Sequence, residues 1–538
     1  MDGRLKKETL SRRELLKYGA AGVAGLGLYG AGRLDANFSR GDGGARDAAG
    51  HSSLGPRVSN GLLESLGRYV YLTPQKLGGG THAVDLDAMK TLAWISYWNY
   101  GDSCPISHHL AAFPADSGDP YKGFEFVNST QGGDNILMYG IPTRIKERGL
   151  LGRFGQGNHI YRVGYDGSTG QMTLLEDISE TTGIGLGVHT VIYPDGEGFA
   201  CADGQKDVCA FFNRARGPNE RTKVQMAFRA DWIPNSPFLG ETWLKGGTLR
   251  ITRLAASWEL GRYDYEGTKG NKINYEMAPM AELLVERGQI PGDNPQGLTG
   301  LDFAQHDPRG RFSVLCNRMC GGAAVLDRKN WEIVCFLHAN EKGEHNIPAK
   351  KISSNPDTWE IKLPMVHAPT HEAGFNPSGS HWVIMNNLRE NNVAVFDVND
   401  EDPRKWKRFT YVRNDEWKGE FPSPFHVCYS VDGSKMFLSV LRPKPAKSDV
   451  VVVDTKTWKI IKTFRNVGID CQTMHVTYDG KYVLQIFSGF QRMEAGVFVF
   501  RQDNLDPVGY MPNFGGHHDS VVVPSTVEEL KWSRCCTV

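Results

Sequence analysis

Residues 426–440 read HVCYSVDGSKMFLSV, and this stretch decides the fold. A histidine opens a short extended run, the pair Asp432-Gly433 supplies a tight turn, and an apolar run follows. An Asp-Gly pair between two extended runs is a strong local signal for a β-hairpin. We therefore predict a hairpin whose first strand starts with a metal-binding type of residue.

The same unit recurs along the chain, each time with His or Asp at the start of the first predicted strand. Its copies are residues 189–201 (HTVIYPDGEGFAC), 302–316 (DFAQHDPRGRFSVLC), 371–385 (HEAGFNPSGSHWVIM) and 475–487 (HVTYDGKYVLQIF). The pair His108-His109 and the run His517-His518-Asp519 fit as first and last members. A weak repeat with several short strands per unit is typical of a β-propeller. Seven units predict an all-β, seven-bladed β-propeller in which equivalent positions converge on one central site.

Composition and the N-terminus indicate an exported protein. The 538 residues carry 61 basic and 61 acidic side chains, a balance that does not favour nucleic acid or an anionic membrane as a partner. Arg12-Arg13 precede a Gly/Ala-rich run, residues 18–32, that resembles a twin-arginine signal and is too short to span a membrane. We predict a cleaved signal peptide over residues 1–36, a flexible leader over 37–60 and the propeller over 61–538, with a periplasmic destination and no membrane span after cleavage.

Two further expectations concern the body of the chain. The longest irregular or helical insertion is expected between His189 and Asp302. This insertion includes the runs TWLKGGTLRITRLAASWELGRYDYEG and MAPMAELLVERG. The periplasm permits disulfides, and Cys201 with Cys209 across a hairpin turn is the one bridge that we expect among the ten cysteines.

The donor set indicates the metal. Imidazole suits copper, zinc, iron and nickel, whereas magnesium and calcium prefer oxygen. Six histidines are too many for one zinc ion, so two or three metal ions are implied. Copper is favoured because it heads the affinity order for such ligands. The histidines outside the repeat, among them His306 and His338, are interpreted as structural.

The histidine motifs resemble those of the nitrous oxide reductase propeller, whose multicopper cluster is bound by histidines spread over seven blades. The motifs are SHHLAAFP (107–114), GVHTVIYPDG (187–196), THEAGFNPSG (370–379), PFHVCYSVDG (424–433), MHVTYDG (474–480) and GHHDS (516–520). That enzyme also has a cupredoxin domain, which we do not expect here. Cys316 and Cys320 have the cysteine spacing of its dinuclear site but no following histidine, so we interpret them as structural.

The chain more closely resembles the thiocyanate dehydrogenase family of periplasmic three-copper propellers, and residues 107–143 are the most specific part of the likeness. The resemblance implies copper ligands at His108, His189, Asp302, His371, His426, His475 and His518. It also implies Lys76, His109 and Glu276 as active-site groups that are not ligands. His517 remains an alternative to His518, and Glu282 an alternative to Glu276.

The resemblance implies oxidation of thiocyanate with water to cyanate and elemental sulfur, with two electrons passed to an external acceptor. Lys76 would hold the anion, Glu276 or His109 would act as general base, and the acceptor would be a c-type cytochrome. A homodimer is kept open. The alternatives are a nitrous oxide reductase-like copper cluster enzyme without the cupredoxin domain and a metal-binding propeller without turnover.

Overall fold

The computed structural model describes residues 62, 64–75, 79–97, 106–131, 159–182, 186, 189–203, 207–235, 245–254, 301–364, 370–386, 390–417, 423–442, 448–468, 471–487, 496–512 and 519–533. The predicted signal peptide and leader, residues 1–60, lie outside this set.

The described residues are almost entirely β-structure. The strands are β1 (Val70–Gln75), β2 (Gly80–Asp85), β3 (Lys90–Ser96), β4 (Ile106–Ala112), β5 (Gly123–Gln131), β6 (His159–Asp166), β7 (Gln171–Asp177), β8 (His189–Ile192), β9 (Gly198–Asp203), β10 (Val208–Asn213), β11 (Val224–Pro234), β12 (Gly247–Leu254), β13 (Leu301–His306), β14 (Phe312–Asn317), β15 (Gly322–Asp327), β16 (Glu332–His338), β17 (Asn346–Pro348), β18 (Lys350–Ile352), β19 (Asn355–Leu363), β20 (Thr370–Phe375), β21 (His381–Asn386), β22 (Asn392–Asp397), β23 (Lys407–Val412), β24 (Ser423–Tyr429), β25 (Lys435–Leu441), β26 (Ser448–Asp454), β27 (Lys459–Gly468), β28 (Cys471–Val476), β29 (Tyr482–Phe487), β30 (Gly496–Arg501), β31 (Pro507–Pro512) and β32 (Val521–Val522). The helices are α1 (Ile178–Thr182) and α2 (Leu530–Ser533), with 3-10 turns at Arg318–Cys320 and Pro403–Lys405.

These strands form seven antiparallel sheets within the described residues. The orders are β3-β2-β1-β32, β4-β5-β6-β7, β18-β19-β12-β11-β10-β9-β8, β13-β14-β15-β16-β17, β20-β21-β22-β23, β24-β25-β26-β27 and β28-β29-β30-β31. The first sheet joins the two ends of the propeller, since β32 pairs with β1 through Tyr71 opposite Val522 and Leu72 opposite Val521.

The sheets pack face to face in a closed ring. The inner strands contact one another in the cycle β4, β8, β13, β20, β24, β28, β32 and back to β4. Apolar clusters fill the space between neighbouring sheets, including the last and the first, where Leu484 and Val497 pack with Tyr71 and Val84. Burial of apolar side chains on both faces of each sheet is the main stabilising force of such a ring. The predicted all-β propeller is confirmed, whereas the number of seven blades stays a prediction because residues 255–300 lie outside the described set.

The predicted hairpins are confirmed, and a recurrent glycine explains them. Gly433 has a φ of 71° and donates its N–H to Ser430 O at 2.8 Å. A left-handed conformation costs a residue with Cβ roughly 1–2 kcal/mol, which is why glycine occupies this turn. The equivalent left-handed glycines are Gly118, Gly196, Gly310, Gly379 and Gly480.

Two expectations are wrong. Residues 247–254, expected within an irregular or helical insertion, form strand β12, which pairs with β11 and with β19 and so widens the third sheet. Cys201 and Cys209 do not form the expected bridge. Cys201 is opposite Ala210 and Cys209 is opposite Ala202, so the two thiols project from opposite faces of the sheet and cannot bond. Cys316 and Cys320 are buried in the β14–β15 hairpin, as the structural interpretation requires.

None of the helices in the described ranges is long and apolar enough to cross a membrane.

Candidate metal centre

The hairpins define an equivalent position on each inner strand, counted back from the turn. In six hairpins of the described residues, one residue closes the hairpin by donating its N–H to a carbonyl at or near the start of the second strand. These closing residues are Phe113, Tyr193, Asp307, Asn376, Ser430 and Thr477. The residues four positions earlier are His109, His189, Phe303, Glu372, His426 and Thr473. We call these six residues, together with Asp519, the central belt. All seven are at most 2% exposed.

Three imidazoles meet at one side of the belt. The ring centroids of His109 and His189 are 4.1 Å apart, those of His108 and His109 are 4.4 Å apart, and those of His108 and His189 are 5.9 Å apart. His108 and His109 come from β4 and His189 comes from β8, so neighbouring sheets supply the cluster. The structure therefore brings together two of the predicted ligands and the predicted catalytic histidine.

Asp519 lies beside the ring of His109. Its Oδ2 lies 3.3 Å from His109 Nδ1 and accepts the N–H of Leu110 at 3.1 Å. Thr473 donates its hydroxyl to Oδ1 at 3.2 Å. Burial raises the pKa of the Asp519 carboxyl to about 8, although these hydrogen bonds oppose the shift. Asp519 is thus a belt carboxyl group held by the neighbours of His109.

Glu372 is a second belt carboxylate, and it links two predicted ligands on different strands. Its Oε1 lies 3.5 Å from Nδ1 of His426 on β24 and 3.9 Å from Nε2 of His189 on β8. Phe303 of the intervening strand β13 contacts the His189 ring, with centroids 5.8 Å apart. The belt contacts therefore run from Asp519 through His109 and His189 to Glu372 and His426.

Bulges in the inner strands change the direction in which the side chains near the belt project. The register of β4 shifts between Ser107 and His109, so the two histidines of the pair oppose a single residue of β5. Comparable shifts occur in β13 at Asp302, in β20 at His371 and Glu372, in β24, and in β28. A bulge re-aims a side chain that regular alternation would send to the other face, and bulges are common next to active sites.

Buried amides on the second strands hold two of these bulges. Asn128 of β5 donates to the carbonyl of His109 at 2.7 Å and accepts the hydroxyl of Ser107 at 2.6 Å. Gln485 of β29 donates to the carbonyls of Gln472 and Thr473 at 2.8 and 3.2 Å. Since the amides pin the backbone on either side of the irregularity, the direction of the neighbouring side chains is set by hydrogen bonds rather than by packing alone.

His475 lies two residues nearer the turn than the belt position of its strand. It is completely buried, and neither ring nitrogen has a hydrogen-bond partner among the described residues. Burial lowers its pKa to about 3, so the imidazole is neutral. A buried imidazole of this kind has the lone pair that a metal ligand needs. The expectation that the metal-type residue always opens its strand is confirmed for β8. It is wrong for β24, where His426 is the fourth residue, and for β28, where His475 is the fifth.

The remaining predicted site residues are placed only in part. Asp302 and His371 lie on β13 and β20, while the positions of their side chains are outside the described set. Lys76, Glu276 and His518 lie entirely outside it, as do the alternatives His517 and Glu282. Within the described ranges, no group of three or more His, Cys, Asp or Glu side chains has the spacing to hold a metal ion. His306, outside the repeat, pairs its Nδ1 with Ser313 Oγ at 2.7 Å, in line with a structural role.

Sequence reasoning missed Glu372 and treated Asp519 only as a neighbour of His518. The signal that could have found Glu372 is its place directly after His371 in a repeat unit. Strict alternation along a strand sends adjacent side chains to opposite faces, and only the bulge in β20 removes that objection.

Comparisons with known proteins give limited information. No family model and no curated protein matches the chain. Among solved structures, the dihydro-heme d1 dehydrogenase NirN is 12% identical with a TM-score of 0.43, over 89% of this chain and 78% of that one. A functionally unknown protein from Desulfotomaculum acetoxidans is 10% identical with a TM-score of 0.42, over 85% and 99% of the two chains. The Cps50 (Swd1) β-propeller domain from Myceliophteria thermophila is 10% identical with a TM-score of 0.40, over 79% and 94%. At these values the likenesses give no argument for a function.

Proposed function

We propose that this chain is an exported copper oxidoreductase that oxidises thiocyanate with water to cyanate and elemental sulfur. The observation that carries the proposal is the meeting of three buried imidazoles, those of His108, His109 and His189, with ring centroids 4.1–5.9 Å apart. Imidazoles gathered from separate sheets into a water-poor centre are what a multicopper site requires. The resemblance of the histidine motifs to those of the thiocyanate dehydrogenase family implies the substrate.

The proposed donors suit copper by their chemistry, because imidazole is one of its preferred ligands. The proposed ligands are His108, His189, Asp302, His371, His426, His475 and His518, with three copper ions per chain. His475 supports the fit most directly, because its neutral ring has two buried nitrogens and no hydrogen-bond partner among the described residues. Copper would supply an acceptor for the two electrons of the reaction and a Lewis acid for water activation.

The protein's own groups would handle the proton and the anion. Asp519 Oδ2 faces His109 Nδ1 at 3.3 Å, which turns His109 Nε2 away from the carboxyl group. We assign proton removal from water to that Nε2, because a general base needs one ring nitrogen oriented and the other presented to the proton. On the resemblance, Lys76 would hold the thiocyanate anion by charge and Glu276 would share in proton transfer.

The proposed reaction is balanced. Thiocyanate and one water give cyanate, one sulfur atom, two protons and two electrons. The carbon–sulfur bond breaks, a carbon–oxygen bond forms, and the electrons pass to an external acceptor, for which we propose a c-type cytochrome. The closed belt, whose members are at most 2% exposed, would exclude bulk water from the centre.

The proposal is tested with two buried histidines of equal burial. His475→Ala should lower both the copper content and the rate of thiocyanate-dependent cytochrome reduction. His338 on β16 is the matched control, because it is also 0% exposed and burial lowers its pKa to about 4, but it lies far from the inner strands. His338→Ala should lose thermal stability and keep its copper. Equal copper in the two variants would contradict the assignment of His475.

A further inference from the structure

We infer that Glu372 is the positioning carboxylate of the copper centre, orienting the imidazoles of His189 and His426 together. The inference rests on the proposed function and adds a residue to it. Neither the repeat nor the family resemblance assigns a role to Glu372, since both point to its neighbour His371.

Glu372 lies at the same level of the ring as the two histidines. Glu372 occupies the belt position of β20, four residues before Asn376, as His189 and His426 do before Tyr193 and Ser430. Its side chain is 0% exposed. The bulge in β20 sets two consecutive residues opposite one residue of β21, so that Glu372 reaches the belt although it directly follows His371.

The carboxyl group of Glu372 lies close to both imidazole rings. One oxygen, Oε1, faces both rings, at 3.5 Å from His426 Nδ1 and 3.9 Å from His189 Nε2. The carboxylate therefore favours the N–H tautomer on the side of each ring that faces it. This leaves Nδ1 of His189 and Nε2 of His426 as the nitrogens turned away from the carboxylate, and these are the nitrogens that we assign to copper.

A carboxylate beside a histidine ligand is a common arrangement in metal sites. A histidine that binds a metal usually donates its other ring N–H to a carboxylate or carbonyl, which fixes the tautomer and raises the basicity of the ligand. Loss of such a partner typically lowers metal affinity about 10–100-fold. A carboxylate shared by two ligands from β8 and β24 would couple two ligand positions on separate sheets. One substitution should therefore affect both.

The test is a copper titration of the full-length metal-free protein, with electron paramagnetic resonance of the loaded form. Glu372→Gln keeps the size of the side chain and removes its charge. We expect the same number of copper ions at saturation, an affinity about 10–100-fold lower for at least one of them, and an altered copper hyperfine pattern. Glu176→Gln is the control, because Glu176 is a buried carboxylate that pairs with Arg162 at 3.5 Å outside the belt. It should retain wild-type affinity and spectrum.

The outcomes separate this inference from the proposed function. Wild-type affinity and spectrum in Glu372→Gln overturn the inference alone. Outright loss of one copper ion at saturation would make Glu372 a ligand and also overturns it. Absence of copper from the wild-type protein overturns the proposed function, and the inference with it. If Glu372→Gln does not fold, Glu372→Asp replaces it. The Asp variant keeps the charge and should bind copper more weakly than wild type, so unchanged affinity there contradicts the inference.

Discussion

Replacement of Asn128 by alanine should destabilise the protein and disturb the histidine pair in the same step. The side chain makes four buried hydrogen bonds. It donates to the carbonyls of His109 at 2.7 Å and Ser129 at 3.1 Å, and it accepts the hydroxyls of Ser107 at 2.6 Å and Thr81 at 2.9 Å. Two of these bonds hold the β4 strand at the bulge that carries His108.

The size of the loss in unfolding free energy depends on which of the four hydrogen bonds can be replaced. Thr81 can turn to the hydroxyl of Tyr97, 3.2 Å away, and the His109 carbonyl also accepts from Ser129 Oγ at 3.3 Å. The bonds of the Asn128 side chain to the Ser107 hydroxyl and the Ser129 carbonyl are lost outright. Each buried polar group that loses its partner costs about 1–3 kcal/mol, so the two groups together should cost about 2–6 kcal/mol of the free energy of unfolding.

The assay is denaturant unfolding of the metal-free protein, followed by copper analysis after reconstitution. Copper should fall below the wild-type content because the bulge relaxes and His108 changes direction. Asn330→Ala is the control, since that side chain is exposed and its two hydrogen bonds are local, from Nδ2 to Glu332 Oε2 at 3.3 Å and from the Glu332 N–H to Oδ1 at 3.2 Å; its effect should stay within about 0.5 kcal/mol. A loss below about 1 kcal/mol in Asn128→Ala, with full copper, would refute the reasoning.

Three further changes test the fold. Gly433→Ala should cost about 1–2 kcal/mol in unfolding free energy because φ at this turn is 71°, and a variant as stable as wild type would show that the turn is not left-handed. Since Cys201 and Cys209 are not bonded to each other, the thermal midpoint should be the same with and without a reductant, and a marked fall in reductant would contradict that expectation. Arg162→Met should cost about 3–5 kcal/mol because it leaves the buried Glu176 carboxylate without its cation, and adding Glu176→Gln should restore part of the loss; strictly additive losses would contradict the pairing.

The hairpins could be predicted because their signals are local. A left-handed glycine such as Gly433 or Gly196 follows a polar turn residue, and an apolar run follows it. The extension of the third sheet could not be predicted in this way. Strand β12 pairs with β19 across more than a hundred residues, with Arg250 opposite Glu360 and their side chains 2.8 Å apart. No pattern within either segment reveals that pairing.

The candidate site was predictable in outline and not in register. The repeat in the sequence placed His189 and His426 in phase, and the two residues occupy equivalent positions before the turn, while their role as ligands stays a prediction. The same repeat treated His475 as equivalent, although it lies two residues nearer the turn. A bulge inserts a residue into a strand without a recognisable sequence pattern. The sequence alone could therefore not show that Glu372 lies at the belt position or that His475 does not.

The proposed copper centre and the proposed oxidation of thiocyanate can be tested together. The most direct measurement is copper analysis of the exported protein together with thiocyanate-dependent reduction of a c-type cytochrome. The account predicts about three copper ions per chain, in line with the family resemblance, and two cytochromes reduced for each cyanate formed. A protein that contains no copper, or one that is fully loaded with copper and does not turn over thiocyanate, would contradict it.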